Sequence, residues 1–365
     1  MNGKIGTMKV AIVYDRVNKW GGAERVLLAL HEIFPNAPLY TSVYDEKRAP
    51  WAKVFSKIHT SFLQKIPLAK SNHEFLGALT PIAFESFDFS QYDLVISVTS
   101  EAAKGIITKP GTLHICYCLT PTRYLWSGYG LYFRNPILKL ISKPIVFYLR
   151  HWDKIAGQRP DEMIAISSAV KDRIKKYYGR ESEVIHPPVN TERFKIQDLR
   201  FKKNYFLIVS RLVPYKRVDL AIKAFNKLKL PLVIVGTGSE EWKLKLGSKK
   251  NIKFLGEVSE RKLTELYAGA KALIMPQEED FGLVAVEAQA AGTPVIAYKK
   301  GGAKDTVIAG KTGVFFDEQT PENLALAVKK FDKMDFNRGE LEHAAKNFSK
   351  ENFKNKFLKL INGRR

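Results

Sequence analysis

Residues 275–298 read MPQEEDFGLVAVEAQAAGTPVIAY. An apolar run ends at Pro276, a short acidic loop follows, and Leu283 to Ala291 has the Ala, Val, Glu and Gln content of a packed helix closed by Gly292. PVIAY then reads as a new strand, so the stretch is one strand–helix–strand unit, with Glu279 in the loop and Glu287 in the second helical turn. Outward from it the same alternation recurs: KVAIVY (9–14), LVISV (94–98), HICYCL (114–119), MIAIS (163–167), FLIVS (206–210) and PLVIVG (231–236). These runs are apolar throughout, which predicts buried parallel strands with helices on both sheet faces, an α/β class.

At 365 residues the chain exceeds what one core supports, so two domains are expected. The alternation breaks at HPPVNTERFKIQDLRFKKN (186–204), where adjacent prolines precede a polar segment without a period. The predicted organisation is a Rossmann-like domain over 8–186, a linker over 187–204, a second Rossmann-like domain over 205–344 and a C-terminal helix within 345–365. That helix places Phe353, Phe357, Leu360 and Ile361 on one face after Ser349 as N-cap, and would dock on its own domain or cross back to the first. Ligands of such sheets bind at the carboxyl ends of strands, so the active site is expected in a cleft where the two domains face each other.

The formal charge of +22 divides as +8 over residues 8–186 and +13 over 187–365, with Lys4 adding the last unit. No block of five lysines or arginines occurs, which argues against a nucleic-acid tail and leaves phosphorylated ligands or an anionic surface as the reading. Cys116 and Cys118 share one face of an apolar strand, a spacing that suits neither a disulfide framework nor zinc and predicts buried thiols in a reducing cytoplasm. The N-terminus carries no signal-peptide pattern, and no stretch of about 18 apolar residues predicts a spanning helix. The expected location is cytoplasmic, with peripheral contact at the membrane face as an option.

Chemistry concentrates in the second half. Backbone N–H groups of Gly282, Leu283 and Val284 would form a positive pole for phosphate. Glu279 and Glu287 would repel that phosphate unless they take hydrogen bonds from sugar hydroxyls; alternatively Glu279 caps the helix and Glu287 is solvated. RLVPYKR puts Arg211 and Lys216 after a strand, where two cations suit a diphosphate leaving group, or are simply solvated. Gly21 and Gly22 resemble a phosphate-approach loop or an ordinary turn. Gly236-Thr237-Gly238 lacks the third glycine of a dinucleotide fingerprint, and GKT at 310–312 lacks the Walker glycine because position 305 is Asp.

Taken together, GGAE (21–24), SRLVPYKR (210–217), IVGTG (234–238), EDFGLVAVEA (279–288) and GTPVIA (292–297) resemble the family-4 retaining glycosyltransferases of GT-B fold. The resemblance implies that Arg211 and Lys216 bind the donor diphosphate, Glu287 the ribose and Glu279 the sugar, with Phe281 and Gly282 lining the sugar pocket. It also implies retention at the anomeric carbon, a front-face displacement and no metal requirement; no literal D-x-D occurs. CYCLTPTRYLW and the wording around 278–302 look like the mannosyltransferase branch of surface-polysaccharide or lipid-linked glycan assembly. The preferred donor is therefore GDP-mannose, with a UDP-sugar as the other option, and the acceptor a glycan or lipid-linked hydroxyl. One departure is Leu119, where related sequences commonly carry His. Arg123, Tyr124 and Trp126 suggest an acceptor platform or aromatic packing, His114 reads as a packed histidine, and NPILKLISKPIVFYLRHWDK (135–154) could rest on an anionic membrane. A sugar-nucleotide epimerase and a nonenzymatic basic binding protein are the alternative readings.

Overall fold

The structure is a computed structural model that describes residues 8–67, 73–133, 135–194 and 204–364. The chain divides into two compact units, Met1–His186 and Pro187–Arg365. In the first, β1 (Val10–Tyr14), β2 (Leu39–Thr41), β3 (Ile58–Thr60), β4 (Leu94–Thr99), β5 (Leu113–Cys118), β6 (Glu162–Ala165) and β7 (Glu183–Val184) form one sheet in the order β3-β2-β1-β4-β5-β6-β7. In the second, β8 (Tyr205–Val209), β9 (Leu232–Val235), β10 (Ile252–Gly256), β11 (Ala270–Met275), β12 (Val295–Tyr298) and β13 (Gly313–Phe316) are ordered β10-β9-β8-β11-β12-β13. Every strand pair is parallel. Both orders contain the doubly wound pattern, in which strand succession reverses beside the first strand of each sheet. The reversal lies between β1 and β4 in one unit and between β8 and β11 in the other.

The central strands are fully buried because Val, Ile and Leu on both faces meet helices. Val10–Tyr14 and Leu94–Thr99 have no exposed position. In the second unit Phe206 lies 5.2 Å from Phe225 and 6.1 Å from Phe331, joining the strand to two covering helices. Each such ring contributes roughly 1.5–3 kcal/mol by burial. Helix ends follow local chemistry: the Ser167 side chain accepts from the Val170 N–H, and Gly179 closes that helix with a φ of 68°.

Residues 195–203 of the expected linker lie outside the described residues. Its first part is not a tether: the Val189 N–H donates to the Phe348 carbonyl at 2.8 Å, and the buried Phe194 ring meets Tyr267 edge-on at 5.7 Å. The C-terminal helix, Lys350–Gly363, is capped by Ser349, buries Phe353, Phe357, Leu360 and Ile361, and belongs to the Pro187–Arg365 unit. Among the described residues no helix is long and apolar enough to cross a membrane.

Candidate functional site

The loops after β8 and β11 leave the second sheet at its switch point, where the diverging strands open a crevice for a ligand. Arg211 and Lys216 stand on the first loop and Glu279 on the second. Lys216 Nζ forms an ion pair with Glu279 Oε1, and both side chains are largely buried, at 13% and 19% exposure. The same carboxylate oxygen accepts from Gln277 Nε2 at 2.8 Å. Glu279 is thereby aimed across the switch point and does not cap the following helix: Gly282 is the N-cap, with a φ of 91° and no side-chain cap bond. Arg211 is exposed and is tied through Nη2 to Tyr215 Oη at 2.5 Å.

Glycines set the backbone of both loops. The Gly302 N–H donates to the Glu279 carbonyl at 2.8 Å, and a Cβ at Gly302 would overlap the Phe281 backbone. On the other loop the Leu212 N–H donates to the Thr237 carbonyl at 2.8 Å and the Glu240 N–H to the Leu212 carbonyl at 2.9 Å. A Cβ at Gly238 would overlap Leu212. The IVGTG stretch is therefore a close-packing pair that holds the Arg211 loop. Gln277, Gly301 and Gly302 were not singled out by the sequence; the Gly-Gly two residues after strand PVIAY was the signal available for the last two.

The helix Leu283–Ala290 begins at Gly282, and among the described residues no group accepts from the N–H of Gly282, Leu283 or Val284. Its first-turn donors are the unsatisfied groups that suit an anion. Glu287, on the same helix, is 2% exposed and takes a hydrogen bond from Tyr267 Oη at 2.8 Å through Oε2. It is an oriented, buried carboxylate, not a solvated one. The Phe281 ring is 4% exposed and packs on Phe348 at 5.5 Å, so its side chain serves the core beside Gly282.

In the first unit the corresponding switch point is organised by Asp15, just after β1. Its buried carboxylate accepts from Thr99 Oγ1 at 2.8 Å and from the N–H groups of Ser100, Glu101 and Ala103 at 2.7, 3.0 and 2.9 Å. Burial and the nearby Glu101 raise its pKa, opposed by those hydrogen bonds. Arg16 pairs with Glu101 beside it.

Gly21 and Gly22 correct the expected phosphate loop. Gly21 is the N-cap of the helix Gly22–Ile33, but the Glu24 carboxylate, 1% exposed, turns back onto the Gly21 N–H and also accepts from Tyr14 Oη at 3.0 Å. An anionic side chain already occupies that helix end. Burial raises the Glu24 pKa.

The aromatic segment after Leu119 is likewise committed to packing. Trp126 donates from Nε1 to Asp153 Oδ2 at 2.7 Å and stacks on Tyr177 at 5.0 Å, so one face and the polar edge of the half-buried ring are engaged within the unit. Asp153 also pairs with the buried Lys104 at 2.6 Å and accepts from Tyr178 Oη at 2.8 Å. Tyr124 packs against the small core of Leu125, Val146 and Leu149, and burial pushes its pKa up. Arg123 caps this turn by its carbonyl, which accepts from the Gly128 N–H at 2.8 Å. Leu119 is half-buried, with its N–H bonded to the Thr99 carbonyl at 2.8 Å. The thiols of Cys116 and Cys118 are free and fully buried, and burial lifts Cys116 to about 12.

Two kinds of likeness bear on this geometry. The whole chain superposes on HepE of Anabaena in complex with UDP-glucose, with a TM-score of 0.71 and 18% identity over 98% of this chain and 100% of that one. It likewise matches sucrose-phosphate synthase from Thermosynechococcus elongatus, with a TM-score of 0.71 and 18% identity over 97% and 98%. With the two parallel sheets, the fold is GT-B. Within it, residues 189–352 match the family model described as glycosyl transferases group 1. The D-inositol 3-phosphate glycosyltransferase of Streptomyces avermitilis is 30% identical over 204 residues, 47% of this chain and 44% of that protein. Glycogen synthase of Mycobacterium tuberculosis is 32% identical over 185 residues, 46% of this chain and 45% of that one. The chain spans about half the length of the curated relatives it matches.

Proposed function

We propose that the chain is a retaining glycosyltransferase that moves a hexose from a nucleotide sugar to a hydroxyl of a glycan or lipid-linked acceptor, in surface-polysaccharide or lipid-linked glycan assembly. The observation that carries the reading is the Lys216–Glu279 pair at the β8/β11 switch point, inside the region that matches group 1 glycosyl transferases. Lys216 and Arg211 bind the donor diphosphate and stabilise it as it leaves. Glu279, released in part from Lys216 when phosphate arrives, accepts hydrogen bonds from the sugar hydroxyls. Glu287, held by Tyr267, takes the ribose, and the N–H groups at Leu283 and Val284 face the phosphates. The departing phosphate helps to deprotonate the acceptor, and the two cations offset its charge in place of a metal. The donor is GDP-mannose; UDP-glucose is the second candidate, because the similar HepE structure holds it.

The test is a screen of GDP-mannose, UDP-glucose and related sugars for binding and slow hydrolysis, with wild type and Glu279→Ala. One donor should bind and turn over, and Glu279→Ala should lower turnover about 100-fold or more. Absence of any nucleotide-sugar response sinks the proposal. Unchanged turnover in Glu279→Ala removes the assigned role, and a donor epimerised without acceptor points to an epimerase.

A further inference from the structure

Between Glu101 and Asp153 the sequence contains no aspartate or glutamate, yet it contains seven lysines and arginines. The end of this acid-free stretch lies in the 21-residue helix Pro136–Ala156, whose one acid, Asp153, is buried against Lys104. Asn135 Oδ1 accepts from the Ile137 N–H at 2.9 Å, and Pro136 opens the first turn. Val146, Leu149, Trp152 and Ala156 anchor the second half in the core, with Trp152 Nε1 donating to Glu85 at 2.7 Å.

The other face is bare. Ile137, Ile141, Tyr148 and Ile155 are exposed at successive spacings of 4, 7 and 7 residues, which places them within about 40° of one another around the helix. Leu140, Ile145 and Phe147 widen the row, and Phe147 is 77% exposed. Seven of the twenty exposed large hydrophobic side chains found among the described residues therefore sit on this one helix. The exposed lysines of the helix, Lys139, Lys143 and Lys154, follow one edge of this apolar face, on the side of Phe147, with Lys139 Nζ 5.7 Å from the Tyr129 ring and Lys154 Nζ 5.8 Å from the Trp126 ring. A second copy of the chain would set these cations against the same cations, whereas anionic headgroups would neutralise them.

We propose that this helix lies in the interface of an anionic bilayer, its apolar row of about 27 Å at the acyl boundary and its lysines among the lipid phosphates. Apolar area supplies depth, and the lysines supply the preference for negative lipid. The inference rests on this helix alone and stands whether or not the chain transfers a sugar.

The experiment is flotation of the full chain, without sugar nucleotide, on vesicles of phosphatidylcholine alone or with about a third phosphatidylglycerol. Binding should require the anionic lipid and weaken as salt rises. Lys139→Glu with Lys143→Glu should lower affinity by about fivefold per lysine or more. Ile141→Ser with Phe147→Ser should lower it about tenfold or more while Tm stays at the wild-type value, since both side chains face solvent. Equal binding to neutral vesicles, or variants that bind as wild type does, overturns the proposal. So does a dimer that the serine pair abolishes in a protein that ignores vesicles, because the occupant is then a second copy.

Discussion

Glu279 and Glu287 share one motif and live in different surroundings. Glu279 is reachable and shared between Lys216 and Gln277, whereas Glu287 is buried and bound by Tyr267. Tyr267→Phe removes the donor and leaves a buried carboxylate oxygen short of a hydrogen bond. The expected loss is about 1–3 kcal/mol of unfolding free energy, read from urea titration. An unchanged urea midpoint would show that Tyr267 does not support Glu287. His114 makes a pH-dependent statement. It is fully buried, donates to or accepts from Ser97 Oγ at 2.8 Å through Nε2, and has a pKa pushed down by burial to about 3. An unfolded histidine titrates near 6.5. As pH falls below that value the unfolded chain takes up the proton and the folded chain does not, so stability contributed above about 6.5 is lost progressively towards pH 3. At pH 5 the loss from this residue is about 2 kcal/mol. His114→Gln should therefore show a smaller fall in stability between pH 7 and 5 than wild type, measured by denaturant unfolding at both pH values. An equal fall in both proteins would mean that His114 is not held neutral.

At the scale of elements, the loop carrying Glu279 is shaped from outside by Gly301 and Gly302. Gly301 has a φ of 64°, and Gly302 lies against the Phe281 backbone. Gly302→Ala forces the Glu279 loop or the 299–303 turn to move, at about 1–3 kcal/mol. Donor binding should weaken together with stability in that variant. Normal stability with normal donor affinity would show that the contact is slack. The strands divide by position in the sheet. The runs recognised in the sequence are β1, β4, β5, β6, β8, β9, β11 and β12, all with neighbours on both sides. The unrecognised ones are β3, β7, β10 and β13 at the edges, and β2 beside an edge. Of these, Ile252–Gly256 alternates buried with more exposed positions, and Ile58–Thr60 and Glu183–Val184 are only three and two residues long, so they lack the continuous apolar run that marks a buried parallel strand; Gly313–Phe316 is apolar and mostly buried but only four residues long.

For the molecule as a whole, each unit has its own parallel sheet and its own hydrophobic core. Residues 187–365 made alone should unfold in one cooperative step and retain affinity for GDP or UDP, since Arg211, Lys216, Glu279 and Glu287 all lie within them. Calorimetry of that fragment, with and without nucleotide, checks this; a fragment that folds but gains no stability from nucleotide would move the donor site elsewhere. The sequence by itself determined the α/β class and the two parallel-sheet halves, because burial on both faces of a strand demands an unbroken apolar run. It also put Arg211, Lys216 and Glu279 on loops after strands, because strand and helix periods mark where each element stops. Only the tertiary structure decided which side chains share a loop crevice and which are consumed by packing. Lys216 meets Glu279 across 63 positions of sequence, while Phe281, Trp126 and the Gly21 N–H are taken by Phe348, Asp153 and Glu24. Such partners are set by strand order and by the volume to be filled, and neither quantity is written in the local period of the chain.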